Sequence, residues 1–340
     1  MKKVLCMAAL ALLAASCSND ENEQVIDGKV GNVSPIQITQ TVAGVKTKAA
    51  IGSGSTVEAV ILTHDGSNDF SSFVPKYDNT LNESNEFANA TDRANVSIAT
   101  FQAGTAAKDV TLSTTLYYST TKGDEVYILG VAPKGDIIQN KAIQFSQDGK
   151  QDVMYADKAS AGSETSHDSK PTLAFKHLTT QLKFAAKITR VANGVTGEWG
   201  GASVHIKSIA IHNVSLPASL TFNDGKVAWA SPLDHFSVPE IITTPLSSTA
   251  TEVSQPVMMN ASSSTTIDVV ITVGTTEKSY INLPVNDEKT NSGLETEISK
   301  SHLITLDITE PAQASGISAI TAQATVDEWT EGNSGTVTIK

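Results

Sequence analysis

Histidines are the side chains in this sequence most able to bind a metal ion or to transfer protons, and they are widely dispersed. The seven are His64, His167, His177, His205, His212, His235 and His302. No H-E-x-x-H pair and no Cys/His cluster occurs, which argues against a zinc site of the usual spacing. His205 and His212, seven positions apart on one predicted strand, are expected to face opposite sides.

Motifs for nucleophilic catalysis and for phosphate binding are also missing from the sequence. It contains no G-x-S-x-G elbow, no P-loop and no dinucleotide-binding glycine fingerprint. We therefore predict no catalytic, cofactor-binding or metal-binding residues, and a protein that is not an enzyme. A hydrolase built on two carboxylates remains an alternative, because such a pair needs only proximity in space.

Cys17 is the residue with the clearest chemical role, because of what precedes it. Lys2 and Lys3 are followed by an apolar run over residues 4–13, too short to span a bilayer, and by small residues at 14–16. This order is typical of a bacterial lipoprotein signal. We predict a signal peptide over residues 1–16, a lipid-modified Cys17 and a flexible tether over residues 17–34. An ordinary signal peptide with an incidental cysteine is the alternative.

Charge and composition restrict the partners and the fold. Lys and Arg total 24 against 36 Asp and Glu, a net charge of −12, and Arg93 and Arg190 are the two arginines. Nucleic-acid binding needs concentrated basic side chains, so no nucleic-acid partner is expected. Thr and other β-branched residues favour strands, and predicted strands recur about every 8–12 residues. The sequence therefore predicts an all-β fold.

Alternation of apolar and polar residues places the strands in two halves. We predict an N-terminal β-sandwich domain over residues 35–171 and a C-terminal one over residues 172–340, with a Ser- and Gly-rich boundary at 157–171. The N-terminal strands are predicted at residues 36–42, 57–63, 96–101, 110–118 and 125–131, with short ones at 143–145 and 153–155. Within the first strand, alternate residues face opposite sides, with the side chains of positions 36, 38 and 40 on one face and those of positions 37, 39 and 41 on the other. In the C-terminal half, Asp224 and Gly225 favour a type I′ hairpin, and a second hairpin is centred on Gly274.

Several segments together resemble the fimbrillin-like surface lipoproteins of Bacteroidetes. They are GDEVYILGVAP at 123–133, DVMYA at 152–156, LAFKHL at 173–178, QLKF at 181–184 and ATVDEW at 324–329. Their order and rough spacing are similar to those of the family. The acidic run SNDENE after Cys17 resembles the signal that sends lipoproteins of these bacteria to the cell surface.

The resemblance implies two β-sandwich domains of transthyretin-like topology and assembly into fimbriae by strand exchange. In that scheme residues 36–42 form a removable first strand, and a trypsin-like protease cuts behind it, with Lys46 and Lys48 as candidate processing sites. The strand Thr336, Val337, Thr338 and Ile339 is then the candidate donor to a neighbouring subunit. The implied partners are other fimbrial subunits, the outer membrane through the lipid, and a host glycan or protein.

One departure from the family keeps a second role open. Stalk subunits of the best-known systems carry Arg at the cut, whereas the candidates here are lysines. The alternative is a surface lipoprotein that does not polymerise and serves as a fimbrial anchor, a tip subunit or a binding module for a glycan or host protein.

Overall fold

The structure is a computed structural model that describes residues 34–43, 54–82, 86–167, 170–192, 195–313 and 319–328. Regular structure in these residues consists of strands and one 3-10 turn, Ala90–Asp92. The strands are β1 Thr39–Val42, β2 Thr56–Asp65, β3 Val96–Gln102, β4 Lys108–Asp109, β5 Thr111–Leu112, β6 Val126–Ala132, β7 Asp136–Ile138, β8 Ala142–Gln144, β9 Met154–Gly162, β10 Thr172–His177, β11 Thr180–Thr189, β12 Val204–Val214, β13 Pro217–Thr221, β14 Val227–Trp229, β15 Leu233–Ser237, β16 Thr251–Glu252, β17 Val257–Met259, β18 Thr266–Val273, β19 Thr276–Asp287, β20 Lys300–Thr309 and β21 Ala319–Glu328. The predicted all-β fold is confirmed.

The first sheet has the strand order β4-β1-β10-β9-β6-β2-β3-β5. One face covers a hydrophobic cluster that we call the first core. Its members include Ile36, Ile38, Val42, Ile61, Phe101, Leu116 and Phe175. Strand β2 is apolar on both faces, since Ala59 and Ile61 face the first core while Val60 and Leu62 face a second cluster. A strand buried on both sides reads as a continuous apolar run, which explains the sequence of β2.

The second sheet has the order β15-β12-β18-β19-β21-β20-β11-β16, with β17 also paired to β11. Its core, which we call the second core, includes Leu182, Phe184, Ile209, Val269 and Leu306. The hairpin of β18 and β19 turns at Gly274, whose φ of 58° lies in the left-handed region that glycine adopts without a Cβ clash. The predicted hairpin around Gly274 is therefore confirmed.

A third sheet, of order β14-β13-β8-β7, joins the two halves of the chain. Strand β8 pairs with β13 so that Ile143 lies opposite Leu220. Phe70, Phe73, Phe145, Leu220 and Phe222 pack together in a cluster that both halves build, which we call the shared core. The Tyr155 hydroxyl donates a 2.8 Å hydrogen bond to the Phe222 carbonyl across this junction. The halves are thus joined by main-chain pairing as well as by side-chain packing.

The change from the first sheet to the second falls later than the expected boundary between residues 171 and 172. Strand β10 pairs with β9 and with β1, and so belongs to the first sheet, whereas β11 opens the second. Strand β9 also continues to Gly162 into the stretch interpreted as a boundary. The sheet change lies between His177 and Thr180. We call residues 34–177 the first half and residues 180–328 the second half.

Two local predictions were wrong. Residues 110–118 do not form one strand, because side chains capture the backbone there: Ser97 Oγ accepts the Thr114 N–H at 3.0 Å, and Asn79 Nδ2 donates to the Thr115 carbonyl at 3.1 Å. The predicted hairpin of β13 and β14 forms, but the five residues 222–226 separate its strands, rather than a two-residue type I′ turn. Gly225 has a φ of 61°, and the Asp224 side chain accepts the Lys226 N–H at 3.1 Å, which favours the wider loop.

Candidate functional site

Residues 34–43 form the candidate site, as a segment inserted into the first sheet with neighbours on both edges. On one edge β1 runs parallel to β10, with Thr39 opposite Thr172 and Val42 opposite Phe175. On the other edge it pairs antiparallel with β4. Beyond the strand, Ile36 N–H donates to the Leu116 carbonyl at 2.8 Å, and Ala43 N–H donates to the Phe175 carbonyl at 3.0 Å. The segment is hydrogen-bonded along its length.

Alternate side chains of this segment complete the first core. Ile36, Ile38, Gln40 and Val42 are at most 3% exposed, whereas Gln37 is exposed and Thr39 and Thr41 are half-buried. This alternation confirms the facing predicted for residues 36–42. Burying three aliphatic side chains stabilises the fold by roughly 5–9 kcal/mol at about 1.5–3 kcal/mol each. The segment is therefore a structural part of the first core.

Polar contacts fix the segment only weakly. Thr39 Oγ1 and Thr172 Oγ1 lie 2.8 Å apart, and Gln40 Nε2 donates to the Gln102 carbonyl at 3.0 Å. Gln40 Oε1 is buried without a hydrogen-bond partner among the described residues. No residue from 34 to 43 carries an ionisable side chain. Main-chain hydrogen bonds and apolar burial therefore hold the segment, and both are available to any strand with the same alternation.

The other residues singled out in the sequence lie outside the described residues. These are the signal peptide at 1–16, Cys17, the tether up to residue 33, Lys46, Lys48, Thr336, Val337, Thr338 and Ile339. Lys46 and Lys48 fall in the chain between Ala43, which follows β1, and Gly54, which precedes β2. The described part of the chain ends at Glu328 in β21. Lipidation, processing and strand donation therefore stay predictions.

The structure also brings together three side chains that sequence spacing did not connect. His212, His235 and Asp268 present ligand atoms that all lie within 4.8 Å of one another. The prediction that His205 and His212 face opposite sides was wrong. A β-bulge between Ile206 and Ser208 shifts the alternation by one residue, so both histidines lie on the face of β12 away from the second core.

The fold and the inserted segment define an all-β protein in which the first described strand, β1, completes the first core. The chain belongs to the fimbrillin-like family, whose model matches residues 63–329. The family resemblance read from the sequence is confirmed. The match begins within β2, so residues 34–43 precede it.

Solved structures similar to this chain come from Bacteroides and Porphyromonas species. A candidate cell adhesion protein from Bacteroides ovatus is 15% identical with a TM-score of 0.48, covering 88% of this chain and 99% of that one. One from Bacteroides uniformis is 13% identical with a TM-score of 0.47, covering 87% and 98%. A fimbrilin from Porphyromonas gingivalis is 9% identical with a TM-score of 0.40, covering 88% and 99%. Among curated proteins, none matches the chain.

Within the described ranges, no helix is long and apolar enough to cross a membrane.

Proposed function

We propose that this protein is a structural subunit of cell-surface fimbriae, exported as a lipoprotein and assembled by strand exchange, and that it contributes to adhesion. Membership of the fimbrillin-like family supports the fimbrial and surface role. The observation that supports the assembly step is the position of residues 34–43, an uncharged segment that fills the first core between β10 and β4.

Removal of this segment would leave a cleft in which backbone groups and apolar positions both lack partners. The unpaired edges of β10 and β4 need main-chain partners, and the apolar positions vacated by Ile36, Ile38 and Val42 need side chains. A strand from a second molecule meets both requirements by β-augmentation, in which backbone hydrogen bonds give affinity and alternate side chains give specificity.

The positions of the candidate processing and donor residues agree with this scheme. A cut after Lys46 or Lys48 falls between β1 and β2, so it releases residues 34–43 from the rest of the chain without breaking either strand. Thr336, Val337, Thr338 and Ile339 alternate in the way that a donated strand requires. Cleft and donor are different surfaces of one molecule, so the contact runs head to tail and can continue into a filament.

Oligomeric state tests the proposal. Protein that lacks residues 1–48 should form head-to-tail oligomers in size-exclusion chromatography with light scattering. Two matched proteins should stay monomeric: one that keeps residues 18–340, and one that lacks both residues 1–48 and residues 336–340. A monomeric protein after removal of residues 1–48 alone would refute the polymerising role.

The second candidate is a surface lipoprotein that stays uncleaved as an anchor, a tip subunit or a binding module. The lysines at the candidate cut, in place of Arg, favour this alternative. The N-terminus of the protein on the cell distinguishes the two roles. A start at Thr47 or Ala49 indicates processing, whereas an intact lipidated start at Cys17 indicates an anchor or a binding role.

Lipid attachment is a separate prediction with its own test. Cys17→Ala removes the acylation site, so no lipid then holds the protein at the membrane. We expect the Cys17→Ala protein to appear as unprocessed precursor or in the medium when membrane and soluble fractions are compared. Normal membrane attachment of the variant would exclude lipid anchoring through this residue.

A further inference from the structure

Three strands of the second sheet bring His212, His235 and Asp268 to one point. His212 on β12 lies directly opposite His235 on β15, and Asp268 comes from β18 on the other side of β12. His212 Nε2 lies 2.8 Å from Asp268 Oδ1, and His235 Nδ1 lies 3.4 Å from Asp268 Oδ2. The two imidazole centroids are 4.4 Å apart. Two histidines thus converge on a single carboxylate.

The cluster lies on the face of the sheet away from the second core. Ile211 and Ile267, the neighbours of two of these residues, are fully buried in that core, so the alternate positions face outward. The side chains of His212 and Asp268 are 14% and 21% exposed, whereas His235 is 56% exposed on the terminal strand of the sheet. His212 and Asp268 are therefore mostly enclosed by neighbouring residues, and the cluster is open to solvent on the side of His235.

The carboxylate is oriented by a backbone contact that the sequence pattern did not indicate. Asn282 has a φ of 55° where β19 bulges against β18, and its N–H donates to Asp268 Oδ1 at 2.8 Å. His212 Nε2 contacts the same oxygen at 2.8 Å. The Asp268 carboxylate is therefore held in a fixed orientation by its neighbours, as the carboxylate ligand of a metal site is.

We propose that His212, His235 and Asp268 form a binding site for a divalent transition-metal ion, with Zn²⁺ as the occupant. Zinc binds imidazole nitrogen and carboxylate oxygen at about 2.0–2.2 Å, which in a tetrahedron separates two ligands by about 3.4 Å. The three ligand atoms here all lie within 4.8 Å of one another. The two imidazole nitrogens contact different oxygens of Asp268, so side-chain rotations would have to bring them around one ion. Three protein ligands leave the fourth position for a water molecule or a ligand from another molecule.

The donor set distinguishes this site from one for calcium or magnesium. Those hard cations select oxygen ligands, six or more for Ca²⁺, whereas two of the three donors here are imidazole nitrogens. Zinc should therefore bind while calcium at the same concentration should not.

Isothermal titration calorimetry with Zn²⁺ on metal-free protein tests the site. The purified protein should bind one Zn²⁺, and His212→Gln, His235→Gln and Asp268→Asn should each weaken binding at least about tenfold. Co²⁺ in place of Zn²⁺ should give a visible absorption band that is lost in the same three variants. Because His235 is the most exposed of the three, its substitution removes a ligand without disturbing the core.

His205→Gln is the matched control. His205 lies on the same strand and the same face, but its Nδ1 lies 2.7 Å from the Thr243 carbonyl, away from the cluster. This variant should bind Zn²⁺ as the unmodified protein does. The proposal is wrong if the protein binds no Zn²⁺, if the three ligand variants bind as tightly as the control, or if Ca²⁺ binds with equal affinity. Equal thermal unfolding midpoints without metal would show that the variants remain folded.

Discussion

The parallel pair β1–β10 of the first sheet and the parallel pair β11–β20 of the second sheet are built differently. The second sheet has a further, shorter parallel pair, β19–β21. The pair β1–β10 aligns four residues, from Thr39 with Thr172 to Val42 with Phe175. The pair β11–β20 aligns nine, from Gln181 with Ser301 to Thr189 with Thr309. The aligned residues of the first pair, 39–42 and 172–175, carry no ionisable side chain.

Buried polar side chains lock the second pair together. Lys187 Nζ lies 3.0 Å from Asp307 Oδ2, an ion pair rather than a directed hydrogen bond, since that oxygen accepts none. Thr189 Oγ1 donates to Asp307 Oδ1 at 2.8 Å, and Ser301 Oγ donates to Gln181 Oε1 at 2.6 Å. A buried charge is tolerated only beside its partner, so this pair accepts neither another register nor another strand.

The difference teaches which strand can be exchanged. Strand β1 is held by backbone bonds and aliphatic burial, which any alternating strand can supply. Strand β11 is held by side chains that a foreign strand would have to match one by one. Exchange is therefore expected at the first pair and not at the second.

The largest effect is expected from breaking the buried ion pair. Asp307→Ala leaves the Lys187 ammonium buried without its partner and should lower the free energy of unfolding by about 3–5 kcal/mol in urea denaturation. The double variant Lys187→Met with Asp307→Leu removes both charges and should recover most of that loss. A single variant as stable as the unmodified protein would remove the contrast between the two pairs.

Truncation of a buried side chain in the first segment is the next test. Ile38→Ala deletes three carbon atoms from the first core, and the free energy of unfolding should fall by about 3 kcal/mol. Amide hydrogen exchange should locate the loss in the first half. Gln37→Ala, at the exposed neighbouring position, should change stability by less than about 0.5 kcal/mol. Equal effects of the two variants would mean that the segment is not part of the core.

Acid should destabilise the second half through His302 on β20. Burial lowers the pKa of His302 to about 4. The nearby Lys300 adds to this effect, and the negative charge of Asp287 opposes it. The unfolded chain, with a histidine pKa of about 6.5, takes up the proton first, so this contribution to stability is present above pH 6.5 and is lost towards pH 4. Between pH 7 and pH 5 the free energy of unfolding should fall by about 2 kcal/mol more for the unmodified protein than for the His302→Gln variant. Identical pH dependence of the two proteins would contradict this assignment.

The smallest effect concerns the hydroxyl contact between β1 and β10. Thr172→Val keeps the shape but removes the 2.8 Å contact with Thr39, and should cost about 1 kcal/mol or less. Thr172→Ser keeps the hydroxyl and should retain the contact. Chemical denaturation should therefore give the Ser variant a higher free energy of unfolding than the Val variant. A loss comparable with that of Asp307→Ala would show that polar contacts, rather than burial, hold the first segment.

The local sequence pattern was enough to predict features that depend on neighbouring residues in the chain. The alternation of residues 36–42 gave the correct inward face, and Gly274 marked its hairpin correctly. The partner of β1 was not predictable in this way, because Thr172 lies 133 residues further along the chain. Likewise, nothing local in residues 142–144 indicates that β8 pairs with β13 in the other half.

The positions of β-bulges and of buried charges also could not be predicted from the local sequence. One inserted residue near Lys207 moves His212 to the face of His205, and only then can it meet His235 and Asp268. Lys187 stands in an alternating strand where a lysine suggests solvent, yet it is nearly buried beside Asp307. Its partner lies on β20, far along the chain, so the reason for its burial appears only when the strands are paired.

Capture of a peptide tests the central claim, that residues 34–43 are a replaceable strand, most directly. The measurement is the affinity of a fluorescent peptide of residues 34–43 for protein that lacks residues 1–48. We expect one peptide to bind per molecule and to suppress oligomers. An Ile38→Asp peptide should bind at least about tenfold more weakly, because it buries a charge, while a Gln37→Asp peptide should bind as the unmodified one does. Absence of binding, or equal binding of all three peptides, would contradict the account.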